Sequence, residues 1–205
     1  MKLHHFTHSP NSRKVTSLIG HLGLTLDMQH VNLRKGEQRT DAFLALNPNG
    51  KVPVLEDGDL VLWESHAILV YLASKHPQRG LLPGDPRGRA EVERWMSWLQ
   101  SFFSPNVGKM TQERVFKKLQ GGTPDEAVLA QGTAAFESHA RILDRHLAGR
   151  EFLCGALTIA DFALGPWAEA APMCALGYGD YPAVAAWLER LARLPGWVPQ
   201  PALGQ

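Results

Sequence analysis

The sequence predicts two regions of different class, a small mixed α/β domain of order βαβαββα and then an all-helical domain. Three observations carry this. Strand and helix signals alternate through residue 76, and the strand signals stop beyond it. A Pro/Gly-rich stretch, RGLLPGDPRGR, separates the two regimes. The run NPNGKVPVLEDGDLVLWES, residues 47–65, holds a turn, a hairpin and a helix start in one short segment. The expected division is 1–77, a linker at 78–88, and 89–205.

Residues 2–6 read as a short strand, followed by a Ser-Pro-Asn-Ser turn. A helix is expected from about Ser12 to Leu22, with Val15, Leu18 and Ile19 on one face and Gly23 as its stop. Residues 25–33 alternate apolar and polar side chains and predict a second strand. A polar stretch with Gly36 leads to a short helix over Asp41 to Leu46, ended by Asn47-Pro48. Val52 to Leu55 and Leu60 to Leu62 then form a hairpin about Asp57-Gly58. Trp63-Glu64-Ser65 opens a helix carrying Ile68, Leu69 and Leu72.

In the second region Trp95, Trp98, Leu99, Phe102 and Phe103 recur at helical spacing. Thr123-Pro124-Asp125-Glu126 reads as a helix start with Thr as cap, and Thr158-Ile159-Ala160-Asp161 as a second. Pro182 to Leu194 gives the last helix, closed by Pro195-Gly196.

The 205 residues carry 21 Lys and Arg against 20 Asp and Glu, a net charge of +1. That balance makes no electrostatic case for nucleic acid or an anionic membrane surface. Apolar stretches break at Glu, His or Pro before the roughly 20 residues a membrane span needs. The start, MKLHHFTHSPNSRKV, has no apolar core, so no secretory signal is expected. Cys154 and Cys174 lack metal or Cys-x-x-Cys spacing, and a reducing, cytoplasmic setting is expected. His4, His5 and His8 have no acidic or Cys partner at ligand spacing, so no metal site is expected.

Pro53 is the most telling residue of the hairpin. A proline there cannot donate to the ladder, which leaves the backbone of Val52 free to pair with an incoming peptide-like molecule. Read with Asn47-Pro48, Gly50-Lys51-Val52-Pro53, Leu55, Glu64-Ser65-His66-Ala67-Ile68 and the capped Thr158-Ile159-Ala160-Asp161-Phe162, the chain resembles a cytosolic glutathione transferase over nearly its whole length. The resemblance implies a thioredoxin-like first domain, a cis peptide before Pro53, glutathione as co-substrate and a homodimer.

The same resemblance distributes roles along the site. Val52 pairs with the cysteinyl backbone of the tripeptide. Ser65, at a helix start, meets the γ-glutamyl carboxylate, and Glu64 faces the ligand's amine. The plain alternative is that Glu64 or Ser65 only caps the helix. Lys51 is a candidate for the glycine carboxylate, although a solvated loop lysine would look the same. Several classes place a His at that end. Gln38 stands there in this chain, with Lys35 and Arg39 close enough in sequence to supply the charge.

A free thiol has a pKa of about 8.5, so the reaction needs a donor that favours the thiolate. Thr7, Ser9, Asn11 and Ser12 are the candidates, all before or at the first helix. In serine-type members the active Ser stands four residues before the Arg of that helix, which from Arg13 gives Ser9. Bacterial members with an Asn at the Asn11 position share the role there, and Ser9 or Ser12 as a simple cap remains the alternative. No Cys precedes Cys154 and no Tyr precedes Tyr71, which argues against the Cys and Tyr branches.

The second domain is expected to supply the pocket for an apolar electrophile, with Phe103, Asn106 and Met110 near its mouth. Trp95, Trp98, Phe102 and Phe116 are also suited to such a pocket, but helical spacing alone explains most of them as core, and Trp167 and Trp197 share that ambiguity. The function implied is conjugation of the glutathione thiolate to an electrophilic carbon, with no metal. The rivals are another glutathione-dependent enzyme (isomerase, dehalogenase or peroxidase) and a binding module without turnover.

Overall fold

The computed structural model describes residues 1–202. Its first part is a sheet of order β2-β1-β3-β4, made of β1 (Lys2–His5), β2 (Asp27–His30), β3 (Val54–Asp57) and β4 (Leu60–Trp63). β1 and β2 run parallel, because helix α1 (Pro10–Leu22) carries the chain back between them. β3 is antiparallel to both β1 and β4, and Gly58 at φ 64° turns the hairpin.

The strand period divides the core between the two sheet faces. Leu3 and Leu55 point to one face, where they join Val15 and Leu18 of α1 with Leu69 and Leu72 of α3 (Ser65–Lys75). Val54 points to the other and meets Val31, Val52 and Phe43, the last from α2 (Asp41–Leu46). α2 thus covers the face opposite α1 and α3.

The second part is helical. α4 (Pro86–Trp98), α5 (Ser104–Thr111) and α6 (Lys117–Leu119) form one rod, joined by π turns at Leu99–Phe103 and Gln112–Phe116. The first π turn precedes Pro105, which has no N–H to continue the ordinary ladder. α7 (Glu126–Leu147), α8 (Ile159–Ala170) and α9 (Pro182–Ala192) complete it. α8 is buried on nearly every side, against α1, α4 and α9. No helix among the described residues is long and apolar enough to cross a membrane.

Several local expectations are corrected. α1 begins at Pro10 rather than Ser12, because Ser9 is its cap. β2 is shorter than 25–33 and wholly exposed, and two single 3-10 turns occupy the polar stretch after it. α4 starts inside the expected linker, at Pro86, where the Asp85 side chain accepts from the Gly88 N–H at 2.9 Å. The cap of α7 is Asp125, not Thr123. Its carboxylate accepts from the N–H of Ala127 and of Val128, while its own N–H donates to Glu113 at 2.8 Å. The Thr158 capping box forms as expected.

Candidate functional site

The loop between β1 and α1 is a tight cap. The Ser9 N–H donates to the Phe6 carbonyl at 2.9 Å, and the Ser9 hydroxyl accepts from the Ser12 N–H at 3.3 Å. Ser12 is buried and its hydroxyl accepts from the Phe6 N–H at 3.2 Å. Both hydroxyls therefore spend a lone pair on the backbone and keep a proton to donate elsewhere. Ser9 is the partly open one of the two. Asn11 accepts from the Trp167 indole at 2.9 Å through its side-chain oxygen, which leaves its amide group as a donor. Thr7 is exposed.

Val52-Pro53 is cis. Val52 is buried, yet the β3–β4 and β1–β3 ladders begin only at Val54, so its backbone lies outside the sheet pairing. The Lys51 carbonyl accepts from the buried Asn47 side chain at 2.7 Å, which holds the turn before it. Gly50, at φ 59°, passes so close to Gln38 and Arg39 that a Cβ would stand 2.9 Å from the Gln38 carbonyl oxygen and 3.0 Å from the Arg39 guanidinium. Gln38, Arg39 and Lys51 are thereby brought to one edge. The Gln38 amide donates to Leu33 O at 3.4 Å and its side-chain oxygen is buried without a partner. Lys35 ends an exposed 3-10 turn, where its backbone N–H donates to the Asn32 side chain at 3.2 Å, and its side chain forms no hydrogen bond with that edge among the described residues.

Glu64 occupies the cap position of α3 at φ 71°, a backbone region that costs a non-glycine residue about 1–3 kcal/mol. It makes no side-chain cap hydrogen bond. The first N–H groups of α3 are thus not closed by the Glu64 side chain, the condition in which a helix start accepts an anion. Ser65, the first helical residue, is buried beside them.

Behind Ser65 stands a residue that sequence reading missed. Lys14, 2% exposed, donates to the Ser65 hydroxyl at 3.4 Å and to His66 Nε2 at 3.2 Å. Burial pulls its ammonium down to about 7, against the opposite pull of the Glu64 carboxylate. The His66 ring is drawn down to about 3, by burial first and Lys14 second, and so remains a neutral acceptor. The available signal was phase, since Lys14 precedes Leu18 by one helical turn and shares its buried face.

On the helical side the expectation is partly corrected. Phe103 and Met110 are 0% exposed and face α7 rather than a pocket mouth. Phe103 packs on Phe136 with ring centres 6.2 Å apart, and Met110 fills the notch at Gly132. Asn106, half-buried, donates to the Gly132 carbonyl at 3.0 Å. The face of α5 that looks toward the Ser9 loop is instead Gly108, 3.8 Å from the Trp167 ring that binds Asn11. Helical spacing identified a buried face there but not the neighbour it meets.

Two cavities are candidates for a second ligand. One of about 540 Å³ lies between α7 and the segment before α9, lined by Arg141, Arg145 and Tyr181, none of them in the loops above. Another of about 360 Å³ adjoins the Ser9 loop, lined by Phe6, Thr7, His8, His30, Asn32 and Arg34. Although smaller, it is the one that shares residues with the loop holding Ser9. His8 stacks on Phe6 and both its ring nitrogens are buried without a partner. Burial raises the thiols of Cys154 and Cys174, consistent with packing roles.

Comparison with known proteins assigns both halves. Residues 3–80 match the family model described as glutathione S-transferase, N-terminal domain, and residues 126–190 match the corresponding C-terminal domain. Glutathione S-transferase 3 of Zea mays is 34% identical over 206 residues, covering 96% of this chain and 91% of that protein. The chain belongs to the glutathione S-transferase family. A possible glutathione S-transferase from Rhodopseudomonas palustris superposes with a TM-score of 0.86 at 32% identity, over 98% of this chain and 90% of that one. A family member from Pseudomonas fluorescens, solved with two glutathione molecules bound, gives 0.87 at 28% identity over 96% and 90%. The N-terminal model of this transferase spans Ser9 through Ser65, whereas the α4–α6 rod falls between the two models.

Proposed function

We propose that this glutathione transferase is of the serine type, with Ser9 donating its hydroxyl proton to the glutathione sulfur. The observation that carries this is the state of the hydroxyl, which accepts from the Ser12 N–H and so keeps its proton free. The N–H bond to its oxygen also polarises it and places it at the positive end of α1. Asn11 supports the loop from the Trp167 side, with its amide as a second donor. Ser12 binds the loop's own backbone.

In this reading the tripeptide lies along the edge built from Val52, Ser65 and Glu64. The Val52 backbone pairs with the cysteinyl unit, Pro53 sets the chain's direction there, and the open start of α3 takes the γ-glutamyl carboxylate. Glu64 faces the amine. Lys51 and Arg39 serve the glycine carboxylate, with Gln38 ordering the turn between them and Lys35 adding charge from outside. Residues 1–77 form the glutathione domain, the connection from 78 ends at Asp85, and the helical domain begins with α4 at Pro86.

The electrophile enters the cavity beside Thr7 and His8, its apolar body against Phe6 and an acceptor atom toward His8. Attack of the thiolate on its electrophilic carbon expels a leaving group or saturates an activated double bond, with no metal required. The enzyme acts in the cytoplasm as a homodimer that detoxifies such compounds. Val61 and Trp63, side by side on the edge strand β4 and 40 and 39% exposed, supply apolar surface for the dimer.

Retention on immobilised glutathione, followed by conjugation of a chloro-aromatic electrophile, tests this reading. Ser9→Ala is expected to lower kcat/KM by about 100-fold, the scale of losing one aligned donor. Binding without turnover in the wild type would indicate a non-catalytic module. Unchanged activity in Ser9→Ala would move the donor role to Asn11 or Ser12.

A further inference from the structure

We propose that Lys14 is a positioning residue for glutathione: its buried amine orients the Ser65 hydroxyl, and it takes up a proton when the γ-glutamyl carboxylate arrives. The inference deepens the reading above and rests on it. Its basis is geometric. Lys14 is buried, its Nζ lies 3.4 Å from the Ser65 hydroxyl and 3.2 Å from His66 Nε2, and no carboxylate forms a salt bridge with it among the described residues. A buried cation without a counter-ion is costly, and a ligand anion placed one hydroxyl away removes that cost.

The surrounding charges fit this role. At the start of α3, Glu64 attracts the ammonium from beyond salt-bridge distance and His66 is neutral. On α8, which packs along α1, Glu169 is held by Arg13 and by the Trp197 indole. Asp161 on the same helix is held by Leu153, Thr158 and Trp187. Neither is free to pair with Lys14. Because burial draws the Lys14 ammonium down to about 7, the free site is largely neutral at about pH 8. A bound carboxylate favours the charged form and raises that value.

The sign follows directly. Between its free and bound pKa values Lys14 holds more protons in the complex, so affinity falls as pH rises through about 7 and above. A rise of one unit on binding makes the fall about tenfold.

Calorimetry with S-methylglutathione, which has no thiol to titrate, reads this in buffers of different ionisation enthalpy. Wild type is expected to take up part of a proton at about pH 8 and almost none at about pH 6. Lys14→Met, an apolar replacement of similar length, is expected to bind about tenfold more weakly at about pH 6 and to lose that difference in uptake. Lys14→Gln keeps a donor for Ser65 without the charge, and should lose the proton uptake in the same way. Binding by wild type with no such pH-dependent uptake overturns the inference and leaves the family reading intact. Failure of wild type to bind S-methylglutathione at all overturns the reading of the site itself. The wild-type measurement stands even if a variant fails to fold.

Discussion

Gly50 shows how narrowly the edge proposed for glutathione is drawn at the level of single residues. Its φ of 59° and the 2.9 Å approach to a carbonyl oxygen leave no room for a methyl group that the backbone could yield to. Gly50→Ala is expected to cost about 1–3 kcal/mol by denaturant titration and to raise KM for glutathione with kcat retained. Most of this edge was legible in the sequence. The roles proposed for Val52-Pro53 and Glu64-Ser65 run through the backbone beside them, so their signal is carried locally. The contacts of Lys14 with Ser65 and of Trp167 with Asn11 were not legible, because each crosses an element boundary. The strain at Glu64 was also hidden, since no side-chain pattern marks a non-glycine φ of 71°.

Elements follow their caps. Asp161 accepts from the backbone N–H of Leu153 and of Thr158 and from the Trp187 indole, and so joins the start of α8 to α9. Asp161→Ala would leave these buried donors without an acceptor. A loss of about 3 kcal/mol in unfolding free energy is expected, with Asp161→Asn less severe because it keeps one acceptor oxygen. An unchanged midpoint in Asp161→Ala would show that α8 is held by packing alone. The Thr158 cap was legible because both partners lie within one turn. The Asp125 cap and the α4–α6 rod were not, since Asp125 is fixed by Glu113 from another helix and the π turns absorb Pro105 without ending the rod. Phe103 and Met110 belong to the same lesson, for their period was right and their facing partner, α7, was not in the pattern.

Across the whole molecule, Arg13 joins the two parts. It is fully buried, pairs with Glu169 and donates to the carbonyl oxygens of Pro166 and Val198, both at 3.3 Å. The loop carrying Ser9 is thereby anchored to α8 one helical turn away from Ser9. The exposed apolar pair Val61 and Trp63 on β4, a free edge of the sheet, is a second whole-molecule feature. For the homodimer proposed above, Trp63→Glu is expected to halve the mass measured by light scattering, and a retained dimer would place the contact elsewhere. The role of Ser9 is tested most directly by titrating the thiol of bound glutathione through the ultraviolet absorbance of its thiolate. A free thiol titrates at about 8.5, and in complex with the wild type it is predicted to fall to about 6.5, with Ser9→Ala restoring most of the difference. A bound thiol that titrates like the free one, or one that Ser9→Ala leaves unmoved, would contradict it.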